Sequence, residues 1–182
     1  MPVKQAAAAP ISFKTTVTRA GTWTIIRLPK DASAKLPSRG QVMVEGTVNG
    51  SVIKTPLEPD GMSSHWLKVD NKLAKSINAK TGGEIKMIIR VTKDWSEPEV
   101  PADWRKMLDS DPKVKAVWED ITPMARWEWI RWMRATNRDE TRQKRIAVGQ
   151  SKIRGGWRRP CCWNRNLCSV PEVSKSGVLL PA

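Results

Sequence analysis

The sequence predicts an α+β protein in which a small β-barrel of five to six strands precedes a small C-terminal helical unit. In the first half of the chain, apolar and polar residues alternate at every second position, which is typical of strands with one buried face. Glycine, proline and asparagine divide this half into short segments, a spacing that favours a closed barrel over a βαβ fold. After Asp94 the apolar residues recur at every third or fourth position, which indicates helices.

Six short segments of the first half carry the strand pattern. The Asn49-Gly50 pair predicts a tight hairpin turn, and Gly46 predicts a bulge or a sharp bend of the kind that barrel corners need. Proline and glycine at 56–61 predict a loop, and short helical turns are expected at 31–36 and 71–78. The predicted strands are 11–19, 22–28, 41–49, 51–55, 65–69 and 84–93.

The second half is predicted to contain four helices with clear start and stop signals. Asp111-Pro112 and Thr122-Pro123 each place a capping side chain before a proline, which is a common start of a helix. Asp139 or a residue near it is expected to cap the last helix, and Gly155-Gly156 is expected to end it. The predicted helices are 102–108, 113–120, 124–136 and 140–153.

These patterns divide the chain into a flexible tail (1–10), a barrel domain (11–94), a helical domain (99–155) and an irregular basic tail (156–182). No apolar run approaches the roughly 20 residues that span a bilayer, so no integral membrane association is expected. The first ten residues lack the apolar core of a signal peptide. Because three cysteines do not make a disulfide framework either, we expect a cytoplasmic protein.

The formal charge of +14 is unevenly distributed along the chain. Residues 99–120 are slightly acidic, with a formal charge of −2, whereas residues 121–182 carry +9. Concentrated positive charge favours polyanions such as nucleic acid, an anionic lipid surface or an acidic protein. The alternative is a surface that only keeps the protein soluble.

Several short motifs in residues 11–165 occur in the order found in one bacterial family. They include Val42-x-Val44-x-Gly46-x-Val48-x-Gly50, then Leu108-x-x-Asp111-Pro112, and above all Trp132-Met133 followed by Glu140-Thr141-Arg142-x-x-Arg145-Ile146. In these features the chain resembles the YdeI/OmpD-associated family, also called the bacteriocin-protection family. The resemblance implies a small barrel of unknown function before a short helical domain. It implies no established biochemical activity and provides no catalytic residues; the family name refers only to a porin and to protection from bacteriocins or cationic peptides.

The candidate binding residues are Trp132, Glu140, Arg142 and Arg145. Arg142 and Arg145 are three residues apart and share a helix face, so their guanidinium groups could hold a phosphate or a carboxylate. Alternatively they pair with Glu140, or with the Glu119 and Asp120 carboxylates, and hold the helical domain in place. Likewise, the Trp127, Trp129 and Trp132 rings with Arg126, Arg131 and Arg134 could stack unpaired bases, or form a core with the arginines solvated on the other side.

No pattern in the sequence indicates a catalytic, cofactor or metal site. Cys161, Cys162 and Cys168 do not have the spacing of zinc ligands, and His65 has no orienting acid or nucleophile nearby in sequence. We therefore expect no cofactor and no catalytic residues. The functions left open are binding of an anionic or protein partner, a nucleic-acid-binding module, and a ligand carrier or enzyme with a site at the barrel–helix junction.

Overall fold

The computed structural model describes residues 9–78, 80–134, 136, 138–160 and 173–181. These residues form two compact units. The barrel unit contains the described residues up to Asp94 together with 173–181, and the helical unit contains those from Trp95 to Pro160.

The barrel unit is a closed six-stranded barrel followed in the chain by helices, so the predicted α+β fold class is confirmed. The strands are hydrogen-bonded in the order β1-β2-β5-β4-β3-β6, all antiparallel, and β6 returns to β1. Closure leaves no unpaired sheet edge along the barrel. The elements are β1 (Ile11–Ala20), β2 (Trp23–Arg27), β3 (Val42–Val48), β4 (Ser51–Pro59), β5 (His65–Lys68) and β6 (Glu84–Val91), with α1 (Lys30–Ala34) and α2 (Asn71–Ser76) in the connections.

Alternation along the strands places one side-chain row inside the barrel. On β6, Ile85, Met87 and Ile89 are buried, whereas Lys86 and Arg90 between them are exposed. Each fully buried aliphatic side chain stabilises the fold by about 1.5–3 kcal/mol relative to an exposed one. The barrel core therefore follows directly from the period-two pattern.

Strand β4 corrects the prediction of a loop at 56–61, because the strand continues to Pro59. Pro56 lies opposite Met43, whose carbonyl oxygen accepts the backbone N–H of Thr92 on the other side of β3. Residues 43 and 56 therefore form a non-hydrogen-bonded pair. At such a pair no backbone hydrogen bond runs from position 56 to β3, so the missing N–H of the proline costs the ladder nothing. On the opposite side of β4, pairing with β5 begins only at Glu58. A proline is tolerated at such a position.

Gly46 is a point of close strand approach and not a bulge. It lies opposite Ile53 on β4 and Ile89 on β6, and both registers continue past it without an extra residue. Its φ of +153° is a conformation that other residues rarely adopt. The bulge, one of the two roles predicted for Gly46, is therefore absent.

The helical unit contains α3 (Ala102–Asp109), α4 (Pro112–Asp120), α5 (Pro123–Arg134) and α6 (Asp139–Arg154). The predicted caps of α4 and α5 are present: the Asp111 carboxylate accepts the backbone N–H of Val114, and the Thr122 hydroxyl accepts that of Ala125. At the start of α6 the N-cap is Arg138, next to Asp139, and its side chain makes no capping hydrogen bond. Asp139 is the first helical residue, where its charge complements the helix dipole instead.

Indole rings form the centre of the helical unit. Trp104, Trp118 and Trp129 are buried, and the Trp104 ring centroid lies 5.9 Å from that of Trp118 and 6.2 Å from that of Trp129. A Cβ at Gly149 would lie 2.5 Å from the Trp104 ring, so glycine at this position lets Trp104 pack directly against α6. These tilted ring pairs add about 0.5–1.5 kcal/mol each beyond the buried area.

Part of the tail that was predicted to be irregular forms a hairpin of β7 (Ser174–Lys175) and β8 (Val178–Leu179). Val173 and Leu179 are buried, the backbone N–H of Leu179 donates to the Asp60 carbonyl, and the Arg27 guanidinium donates to the Leu180 carbonyl. This segment belongs to the barrel unit. Cys161, Cys162 and Cys168 lie outside the described residues, as does nearly all of the predicted N-terminal tail.

Candidate functional site

Arg142 and Glu140, two of the predicted binding residues, are paired within the helical unit. The Arg142 guanidinium binds both carboxylate oxygens of Asp103, with Nε–Oδ2 at 2.6 Å and Nη2–Oδ1 at 2.9 Å. This interaction holds the pKa of Asp103 below its usual range. Glu140 pairs with Lys144 one turn along α6, at 2.6 Å. Both side chains thus form ion pairs with other residues of the helical unit. The partner of Arg142 is Asp103, and not one of the carboxylates that the sequence suggested.

Arg145, the third predicted residue, has a different environment. Its Nη1 donates to the Trp132 carbonyl oxygen at 2.6 Å, and its Cζ lies 5.6 Å from the centroid of the Trp132 ring. Among the described residues, no carboxylate lies within ion-pair distance of it. Burial lowers the pKa of the Arg145 guanidinium, although an arginine so placed stays charged. Arg145 is therefore a half-buried cation without a counter-charge in the described structure.

Lys152 is a second such cation, two helical turns beyond Arg145. Its ammonium group lies 4.8 Å from the centroid of the Trp157 ring and 5.9 Å from that of Trp132, and donates to the Pro160 carbonyl oxygen at 2.9 Å. No carboxylate of the described residues forms an ion pair with it. Residues 145 and 152 are seven positions apart, which places them on the same face of α6.

The end of α6 fixes the position of Trp157. The backbone N–H of Trp157 donates to the Lys152 carbonyl at 3.0 Å, and that of Gly156 donates to the Ile153 carbonyl at 2.9 Å. These two bonds, with Gly156 at a φ of +84°, form a Schellman motif. The motif holds the Trp157 indole beside Lys152 while 46% of the residue remains exposed.

Trp132, Arg145, Lys152 and Trp157 together form what we call the α6 patch. The patch combines two cations without carboxylate partners and an exposed aromatic ring, features that suit an anionic ligand. Sequence reasoning identified Trp132 and Arg145 but missed Lys152 and Trp157. Lys152 could have been identified by its spacing of seven residues from Arg145. Trp157 could have been identified by the glycine pair before it.

Comparison with known families agrees with the two-unit organisation. Residues 97–154 match the family described as bacteriocin-protection, YdeI or OmpD-associated, and residues 13–89 match a domain of unknown function, DUF1905. Residues 97–154 thus form a domain of the YdeI/OmpD-associated family. Trp132, Arg145 and Lys152 lie inside the family match, whereas Trp157 lies three residues beyond it. No curated protein matches the chain.

On α5 of this YdeI/OmpD-associated domain, the tryptophans and arginines only partly follow the sequence prediction. Trp129 is buried, as expected for a core residue, and its neighbour Trp132 is half-buried. The expectation of solvated arginines is wrong for Arg126, whose side chain is 15% exposed and binds the Trp118 carbonyl and the Glu97 carboxylate. It holds the segment before α3 and the end of α4 against α5.

A groove of about 450 Å³ in the helical unit is a weaker candidate site. It is lined by Val100, Leu108 and Trp118 together with charged side chains. Several of those charges are already paired, Lys115 with Asp109 and Arg126 with Glu97. The lining of the groove contains three acidic and three basic side chains, so it has no net charge, whereas the α6 patch carries two positive charges.

His65 is a buried structural residue in the barrel unit. Its Nε2 donates to the Gly40 carbonyl at 2.8 Å, so Nδ1 of the neutral ring accepts the Ser33 hydroxyl at 2.8 Å. Arg39 donates to the Ser33 hydroxyl and to the Ser33 and Leu36 carbonyls. Both His65 and Ser33 are fully buried, which keeps a substrate from reaching them.

The burial of His65 predicts a pH dependence of stability. Burial, and to a smaller extent Arg39, lowers the pKa of His65, while the Gly40 carbonyl and Asp60 oppose this shift. The unfolded chain therefore binds a proton more readily than the folded one. The stabilisation is complete above the unfolded pKa of about 6.5 and is lost as the pH falls from there through the folded pKa. Urea unfolding at a series of pH values from about 7.5 to 5 should show this loss.

The control for this prediction is His65→Gln, which removes the only histidine of the chain. The variant should be less stable at neutral pH but should show a smaller loss between neutral and mildly acidic pH. An equal slope for both proteins would show that another group titrates.

The described residues also bear on metal sites and membrane spans. Among the described residues, no group of three or more His, Cys, Asp or Glu side chains is arranged to hold a metal ion. The described helices include none that is long and apolar enough to cross a membrane.

Proposed function

We propose that this protein is a non-catalytic binding protein that holds an anionic partner on the α6 patch. The observation that carries the proposal is the pair of cations, Arg145 and Lys152, on one face of α6 without a carboxylate partner in the described structure. Two of the predicted binding residues, Trp132 and Arg145, belong to this site. The other two, Arg142 and Glu140, form ion pairs within the helical unit instead. The proposal retains the expectation of a cytoplasmic protein.

The state of Arg145 supports an external ligand. A half-buried charge loses hydration, and the usual compensation is an opposite charge with several hydrogen bonds. Arg145 donates one hydrogen bond to a backbone carbonyl, which leaves most of its five N–H groups for a ligand. A carboxylate or phosphate that accepts two of these groups would form charge-assisted hydrogen bonds worth about 1.5–3 kcal/mol each.

The other pairings of the helical unit show why these two cations differ from their neighbours. Arg154 binds Asp111, Arg158 binds Asp120 and Arg159 binds Glu128. The charge of each of these three arginines is therefore compensated by a carboxylate of the same unit. Arg145 and Lys152 have no such partner in the described structure, so an anion placed on the patch would not have to displace a carboxylate.

The positive charge of the C-terminal part of the chain favours an anionic partner over a cationic one. Residues 121–182 carry a formal charge of +9, which attracts anions over a distance and repels cationic peptides. If the family name reflects protection from cationic bacteriocins, sequestration of the peptide by this surface is electrostatically unfavourable. Binding of an anionic cell component fits the charge better.

The proposal predicts saturable, salt-sensitive binding of inorganic polyphosphate to the full chain. The double variant Arg145→Ala/Lys152→Ala should bind at least about tenfold more weakly, because two charge-assisted contacts of about 1 kcal/mol or more are lost. The dependence of log K on log salt should become shallower, since fewer counterions are exchanged. Isothermal titration calorimetry across a salt series measures both quantities.

The matched control is Lys106→Ala/Lys113→Ala, which removes the same formal charge from exposed lysines of α3 and α4. It should change the affinity by less than about twofold. If both double variants weaken binding equally, or if the wild-type chain binds no polyphosphate, the α6 patch is not the binding site.

A further inference from the structure

We infer that the α6 patch takes unpaired nucleotides, so that the anionic partner is a single-stranded nucleic acid. This inference rests on the proposed function and names its ligand. It is carried by the exposed Trp157 ring and by its position between the backbone motif that ends α6 and the Lys152 ammonium group.

Trp157 is placed as a stacking surface. A large aromatic side chain that is 46% exposed leaves apolar area in water, which costs free energy that a stacked base would recover. The Schellman motif fixes its backbone, and Lys152 at 4.8 Å from the ring centroid limits the orientation of the indole. A ring that is already held in place loses little conformational entropy when a base stacks on it.

The two cations match the spacing of a nucleic-acid backbone. The Lys152 ammonium group lies over one face of the Trp157 ring, so a base would stack on the other face and a phosphate of the same strand would contact the cation. Arg145 lies two turns away, about 10.5 Å along the helix axis at 1.5 Å per residue. At about 3.4 Å per stacked nucleotide this rise corresponds to about three nucleotides. Aromatic rings combined with cations along a backbone are the usual means of binding single strands.

Other anionic partners use these features less well. The carboxylates of an acidic peptide would pair with Arg145 and Lys152, but they would not stack on the exposed indole of Trp157. A membrane surface favours a helix with a broad apolar face, whereas Lys144, Gln143 and Ser151 occupy exposed positions of α6. In a duplex the faces of the bases are covered by their neighbours, so a ring such as Trp157 would have nothing to stack on.

The test compares two labelled probes that differ only in their bases. One is an oligothymidylate of about 12 nucleotides, and the other is an abasic oligonucleotide of equal length. In fluorescence anisotropy titrations, the full chain should bind the oligothymidylate about fivefold to a hundredfold more tightly. Trp157→Ala should remove most of this difference, and Trp157→Phe should retain part of it. Arg145→Ala/Lys152→Ala should weaken the binding of both probes.

Trp23 provides the matched control, because Lys68 lies 3.7 Å from its ring centroid in the barrel unit. Trp23→Ala, if circular dichroism shows that it is folded, should retain the preference for bases. Equal affinity for the two probes, or a preference that survives Trp157→Ala, would overturn the inference and leave the proposed anion site standing. If neither the abasic probe nor polyphosphate binds through Arg145 and Lys152, the proposed function itself fails.

Discussion

Gly46→Ala is expected to destabilise the protein by about 3–5 kcal/mol, a large part of the stability of a typical domain. A Cβ at this position would overlap the Ile88 carbonyl oxygen and would lie 2.9 Å from both the Ile88 carbonyl carbon and the Ile89 Cα. These are backbone atoms of β6, so no side-chain rotation can relieve the overlap. The φ of +153° adds strain for any residue with a Cβ. Urea unfolding followed by circular dichroism measures the loss.

Gly50→Ala separates the overlap from the loss of a glycine in general. Gly50 is the second residue of the β3–β4 hairpin turn, with a φ of +82° and no atom within 4 Å of a built Cβ. Only the backbone strain applies there, so we expect a loss of about 1 kcal/mol. Equal losses for the two variants would show that β3 and β6 can separate at low cost, contrary to the close approach described above.

Trp104→Ala is expected to cost about 3–5 kcal/mol and to loosen the helical unit. Trp104 is fully buried and contacts the Trp118 and Trp129 rings, while Gly149 lets it lie directly on α6. Its removal leaves a cavity that the surrounding rings can fill only in part. Loss of helical circular dichroism at a lower urea concentration than in the wild type would report this effect.

Two comparisons sharpen the prediction for Trp104. Trp104→Phe should cost less, because the ring volume is partly kept and the indole N–H, buried without a partner in the described structure, is removed. Trp157→Ala should change stability by less than about 1 kcal/mol, since this indole is half exposed. If Trp104→Ala were as mild as Trp157→Ala, the indole cluster would not be the core of the unit.

The order of the elements from β1 to α6 and the caps of α4 and α5 followed from the sequence because their signals are local. Alternation at every second residue identified the inward row of β6, and Asp111-Pro112 predicted the start of α4 from two adjacent residues. The change of period after Asp94 located the division between barrel and helices. Such patterns require only the preferences of neighbouring residues and the burial of one face.

The partners of the candidate site were decided by the tertiary structure. Arg142 binds Asp103, 39 positions away, and not the carboxylates that the sequence suggested. Pro56 can lie within a strand because the Met43 carbonyl opposite it points away, towards the β6 side of β3, and accepts the N–H of Thr92. Lys152 is a candidate because α6 places it near the Trp132 ring, and Trp157 is a candidate because the end of α6 places it near Lys152. The sequence by itself determined most of the strands and helices of the barrel and the helical unit, since local periodicity encodes them. Which charges remain unpaired depends on contacts between residues far apart in the chain, and only the folded structure brings those residues together.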